Sequence, residues 1–201
     1  MRVRNWMVKK VTTISKDASV QEALRLMQKY SIRHMPVVGK KDSIVGLVTE
    51  SNLRQFLLLS MVEKISVRDV MIVNPITIDA DDTIEQAASL IYRRKIGCLP
   101  VVQDGSLVGI ITVTDILGAF IEIMGLLRAS SRIDLAFKNK EGSIDDITKT
   151  IKEKGGEIIS IGIQGKLPGK RIHNIRLEKT DLGPIVTALE EKGYEIVSVA
   201  N

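Results

Sequence analysis

The hydrophobic positions switch between two periods along the first two-thirds of the chain. Val20, Ala23, Leu24 and Met27 recur at helical spacing behind Ser19, a hydroxyl suited to capping a first turn. Ile84, Ala87, Ala88 and Ile91 repeat the pattern behind Thr83. Two short apolar runs follow each helix, at residues 34–38 and 44–48 in the first stretch, joined by a polar turn over 39–43. The corresponding turn in the second stretch shortens to 103–105. A further helix opens near Thr49 or Thr112 and carries Leu53 or Ile116 inward. The pattern predicts strand, helix, strand, strand, helix, twice over.

The two stretches are copies. An offset of 64 superposes Met7 on Met71, Ile14 on Ile78, Ala23 on Ala87, Ile32 on Ile96, and Pro36-Val37-Val38 on Pro100-Val101-Val102. After a one-residue deletion the offset of 63 brings Gly46, Thr49 and Asn52 onto Gly109, Thr112 and Asp115. A unit of about sixty residues leaves one sheet face apolar, so the two are expected to pack face to face. Beyond residues 125–131 the pattern changes. Strands are predicted over 132–137, 158–163, 171–177 and 194–199, a turn over 167–170, and helices over 143–154 and 182–192, a βαββαβ, ferredoxin-like plan. The expected fold class is α+β, with boundaries at 1–62, 63–128 and 129–201.

Composition narrows the function classes. With 44% hydrophobic and 26% charged residues in 201, the chain has enough apolar material for a core. No apolar run is long enough for a transmembrane helix, and residues 1–10 lack the apolar stretch of a signal peptide, so a cytoplasmic protein without membrane partners is expected. Cys98, alone of its kind, excludes an internal disulfide. The net charge of +5 divides into +4 for residues 1–128 and +1 for the rest, which suits a small anion. Without dense basic runs interleaved with aromatics, a nucleic acid is not the expected partner.

The segment Gly109-Ile110-Ile111-Thr112-Val113-Thr114-Asp115 carries the most specific chemistry. Thr112 and Asp115 stand three apart at a helix start and share a face. A carboxylate there can accept ribose hydroxyls, and the first-turn N–H groups favour an anion. The alternative is a plain helix cap, with Thr112 as N-cap and Asp115 opposing the dipole. His34 is either a phosphate ligand or a structural histidine. His173 is expected on a strand surface, Cys98 as a small buried filler, and Trp6 and Met7 as an N-terminal anchor. Two distant histidines and one cysteine make no metal set, and no nucleophile–base–oxyanion set occurs, so no catalytic residue is assigned and no enzyme is expected.

The repeats resemble a pair of CBS (cystathionine-β-synthase) domains, a Bateman module. The likeness lies in the strands Ile32-Arg33-His34-Met35-Pro36-Val37-Val38 and Ile96-Gly97-Cys98-Leu99-Pro100-Val101-Val102, and in the Gly-x-x-Thr-x-x-Asp/Asn segments. The resemblance implies an adenosine ligand in the cleft between the motifs: AMP, ADP, ATP or S-adenosylmethionine. It implies that Thr112 and Asp115 hold ribose and phosphate, with Arg33 and His34 on the phosphates. Met35, Pro36, Thr77 and Ile78 join the expected nucleotide contacts. Thr49 and Asn52 mark the opposite site, where the amide replaces the carboxylate and uncharged Gly97 and Cys98 stand for Arg33 and His34. One competent and one weakened site are expected.

The C-terminal plan resembles an ACT domain, and the order CBS–CBS–ACT resembles the AcuB family, linked by name to acetoin utilisation. Of the Asp-x-Pro-Gly turn common in amino-acid-binding ACT domains, residues 139–142 keep only Gly142. These resemblances imply a homodimeric regulator that senses adenosine nucleotide and signals through the ACT domain or to a target protein not identified by the sequence. The alternatives are a constitutive dimeric assembly module with vestigial pockets, or amino-acid sensing at the ACT domain.

Overall fold

The computed structural model describes residues 1–56, 64–137, 143–167 and 170–201. They form two compact units, Met1–Ala119 and Phe120–Asn201.

The first unit holds two βαββα motifs. In motif 1, β1 (Ile14–Ser15) lies parallel to β2 (His34–Val38), with α1 (Val20–Tyr30) between them. β3 (Ile44–Thr49) returns antiparallel and leads into α2 (Glu50–Gln55). A linker follows with a short helix α3 (Val67–Val70) and a strand β4 (Ile72–Val73). Motif 2 repeats the plan with β5 (Ile78–Asp79), α4 (Ile84–Arg94), β6 (Cys98–Gln103), β7 (Ser106–Thr112) and α5 (Val113–Ile123). Local chemistry sets the helix boundaries. The Glu22 N–H donates to Ser19 Oγ at 3.1 Å, and Thr83 with Gln86 forms a reciprocal capping box. Ser31 and Lys95 end α1 and α4 in the left-handed conformation. Val20, Ala23, Met27, Met35, Val37, Val48 and Leu53 then close the core of motif 1.

The motifs exchange their leading segments. Val8 bridges Ile110 of β7 with hydrogen bonds of 2.9 and 3.0 Å, while β4 pairs with Gly46 and Leu47 of β3. Met7 packs on Gly109 and Met71 on Gly46, so both aligned methionines fill the same notch on opposite motifs. Residues 1–8 therefore complete motif 2, and Val67 and Val70 complete the core of motif 1. Leu47, Cys98 and Ile110 are buried together where the two sheets meet, with Val11 against them.

The second unit follows the ferredoxin-like plan. β8 (Ser130–Phe137), α6 (Ser143–Glu153), β9 (Ile158–Leu167), β10 (Lys170–Glu178), α7 (Gly183–Glu191) and β11 (Glu195–Ala200) give an antiparallel sheet ordered β11-β8-β10-β9. Its core joins Ile133, Leu135, Ile175 and Leu177 of the sheet to Ile147, Ile151, Ile185 and Leu189 of the helices. His173 corrects the expectation of a surface residue. It alternates with Ile175 and Leu177 on the inward face of β10 and is only 2% exposed. Residues 139–142 and the centre of the expected turn, 168–169, lie outside the described residues.

Candidate functional site

In the first unit, strand pairing aligns the chemistry of the two motifs. His34 faces Thr49 across β2 and β3, and Cys98 faces Thr112 across β6 and β7. The Glu50 N–H donates to the Arg33 carbonyl at 2.9 Å, and the Val113 N–H to that of Gly97 at 3.2 Å. Each helix therefore starts tied to the residue before its motif's Pro-Val-Val strand. Gly97 leaves room for the His34 imidazole, because a Cβ there would fall 2.7 Å from Nε2. The uncharged counterpart of Arg33 is thus the seat of the neighbouring motif's histidine.

A cleft of about 610 Å³ opens over this junction. Arg33, His34, Thr49 and Glu50 line it from motif 1, Gly97, Thr112 and Thr114 from motif 2, and Lys10 and Thr12 from the leading segment. Lys10, Thr12 and Glu50 were not singled out by sequence; the first two reach the cleft through the Val8–Ile110 bridge, a long-range pairing with no local signature. Glu50 carried a signal as the residue after the capping threonine. His34 is half-buried, and its pKa is lowered, first by loss of solvent and then by the adjacent Arg33 charge.

Thr112 and Asp115 meet in a tight pair. The Thr112 N–H and hydroxyl both donate to Asp115 Oδ2, at 2.8 and 2.7 Å, and the Asp115 N–H returns to Thr112 Oγ1 at 3.4 Å. The cap geometry is therefore present. It leaves Oδ1 without a protein partner among the described residues. Thr49 and Asn52 make the homologous pair: the hydroxyl donates to Asn52 Oδ1 at 2.5 Å and accepts from its N–H at 3.1 Å. Both threonines line the same cleft, whereas the sequence assigned them to opposite sites.

Four other expected contacts fall elsewhere. Met35 is fully buried in the core of motif 1, on the face of β2 that it shares with Val37, and Pro36 is buried on the opposite face of the strand. Ile78 is 4% exposed, and it and Thr77 border a separate cavity of about 500 Å³ beside Asp82, Glu85 and Arg93. Cys98 is buried, and desolvation pushes its thiol up to about 12. Among the described residues no group of His, Cys, Asp and Glu could hold a metal ion, and no helix is long and apolar enough to cross a membrane.

The CBS domain model matches residues 3–59 and 67–122, more than half of the chain. The chain belongs to the CBS-domain family. Its CBS pair is 37% identical over 112 residues to inosine-5'-monophosphate dehydrogenase of Methanocaldococcus jannaschii, covering 55% of this chain and 22% of that enzyme. It is 33% identical over 116 residues to homoserine O-acetyltransferase of Methanococcus vannielii, covering 57% and 24%. The chain thus spans less than a quarter of the length of these relatives. Among solved structures, AcuB from Vibrio cholerae aligns with a TM-score of 0.58 at 28% identity, covering 63% of this chain and 96% of that one. CBSX2 in complex with AMP gives 0.54 at 27%, covering 61% and 97%. The CBS pair of protein MJ0100, solved with 5'-methylthioadenosine and S-adenosyl-L-methionine, gives 0.55 at 28%, covering 60% and 95%.

Proposed function

We propose that the CBS pair is the sensing half of a non-catalytic regulatory protein and binds an adenosine nucleotide (AMP, ADP or ATP) in its cleft. The observation that carries this reading is the wall itself. Cationic Arg33 and imidazole His34 come from one motif, and hydroxyl-bearing Thr112 at a helix start comes from the other. Phosphate fits the Arg33–His34 side, where the first turn of α5 adds backbone donors at Thr114. Ribose hydroxyls are assigned to the second oxygen of Asp115, which stands behind the cleft-lining Thr112 rather than in the lining itself and is oriented by two bonds from that threonine. The AMP and S-adenosylmethionine complexes of the similar CBS pairs support an adenosine ligand. Two relatives with unlike chemistries share this stretch, which favours a regulatory module over a catalytic one.

The C-terminal unit is assigned an ACT-like role on its βαββαβ connectivity and strand order. The message has a direct covalent route, since α5 follows directly on Thr112 and runs from Val113 to Ile123, past the boundary at Ala119. A homodimer acting on a target protein completes the reading. Calorimetric titration with AMP, ADP, ATP and S-adenosylmethionine tests it. At least one should bind, with Asp115→Asn weakening it about tenfold, equivalent to about 1.4 kcal/mol. No binding by any of the four, or binding indifferent to the substitution, removes this site.

A further inference from the structure

We propose that the ligand of the cleft is a nucleoside triphosphate or diphosphate, whose outer phosphates pass Arg33 into a second, arginine-lined cavity. This rests on the nucleotide reading above and adds the phosphate count to it. The second cavity measures about 680 Å³ and lies between α1 and α2 of motif 1. Ser31, Ile32, Arg33 and Glu50 line both cavities, so the two share a wall at the residue assigned to phosphate.

The charge of the second cavity decides what it suits. Arg25, Arg33 and Arg54 line it against one carboxylate, Glu50, a formal +2. Arg54 donates to Glu50 Oε1 from Nε at 3.0 Å and from Nη2 at 2.6 Å, so those two charges cancel locally. Arg25 and Arg33 make no ion pair among the described residues. Gln21, Arg25 and Gln28 recur at four and three residues, so one face of α1 presents a guanidinium between two amides to the cavity. Guanidinium groups grip phosphate through paired N–H donors, and they keep their charge at any physiological pH. Arg25 lines the second cavity and not the cleft. An α-phosphate seated at Arg33 and His34 makes no use of it, whereas a β- or γ-phosphate continuing along the shared wall does.

The test is titration of the full chain with AMP and with ATP, for the native sequence and for Arg25→Ala. Arg25 is exposed on α1, and thermal melting by circular dichroism verifies that the variant folds. The native chain should bind ATP at least tenfold more tightly than AMP. Arg25→Ala should bring ATP down to the affinity of AMP and leave AMP unchanged. Arg25→Lys, which keeps the charge but not the paired donors, should lie between. If AMP binds and ATP binds no better, or if Arg25→Ala weakens both alike, the phosphate extension is overturned while the nucleotide site stands. If neither binds, the nucleotide reading falls and the extension with it.

Discussion

His34 is the residue at which sequence, structure and ligand chemistry meet. Burial and the Arg33 charge both favour its neutral form, so its folded pKa lies below that in the unfolded chain. Its contribution to stability is therefore complete above the unfolded value of about 6.5 and is lost as pH falls toward the folded one. A bound phosphate reverses the local field and favours the imidazolium. Nucleotide affinity should then rise between about pH 8 and pH 5, with uptake of a proton on binding. Calorimetry in buffers of different ionisation enthalpy measures that uptake, and His34→Gln should abolish it. Uptake that survives the substitution assigns the proton to a group other than His34. Cys98 gives a second check at this scale. Its buried thiol, pushed up to about 12, should resist alkylation in the native protein at about pH 8 and react once the chain is unfolded. The local pairs, Thr112 with Asp115 and Thr49 with Asn52, were legible because three-residue spacing fixes them within one turn. That both threonines open into one cleft was not, since it depends on how two sheets meet.

At the scale of elements, the caps and the apolar periods carried the fold. Ser19, Thr83, Thr49 and Thr112 all lie at helix starts, and each hydroxyl accepts an N–H three residues on. Residue 173 was equally legible by its parity with Ile175 and Leu177, and a histidine in that register follows the strand inward whatever its polarity. The exchange of leading segments was hidden, because two-residue strands and single bridges leave no periodic trace. Gly109 exposes that exchange to a test. A Cβ there would meet the Met7 side chain and lie 3.1 Å from the Val8 carbonyl, which is held by the bridge to Ile110. Gly109→Ala should destabilise the first unit by about 1–3 kcal/mol, as overpacking against backbone does. Gly118, within α5, has nothing within 4 Å of a built Cβ. Gly118→Ala should instead stabilise by about 0.5–1 kcal/mol, the helical advantage of alanine. Thermal melts moving in opposite directions support the exchanged packing, and a neutral Gly109→Ala counts against it.

At the scale of the molecule, the two units have separate cores. Met35, Val48 and Leu53 belong to one, and Ile133, Ile151 and Ile175 to the other. Each core closes on its own buried residues, so two unfolding transitions are expected. The sole tryptophan, Trp6, lies in the first unit, and its fluorescence follows that unit alone, while far-ultraviolet circular dichroism follows both. A nucleotide at a hundred times its dissociation constant should raise the tryptophan-reported transition by about 2.7 kcal/mol. Transmission to the C-terminal unit demands more than that. Ligand energy reaches a distant transition only as a coupling term, typically about 1–3 kcal/mol. The second transition of the full chain should therefore also rise, by the smaller amount, whereas residues 120–201 expressed alone should not respond to nucleotide. A second transition that stays fixed while the first moves separates sensing from transmission. The CBS pair would then bind its ligand without instructing the C-terminal unit, leaving a partner protein docked on the first unit as the receiver.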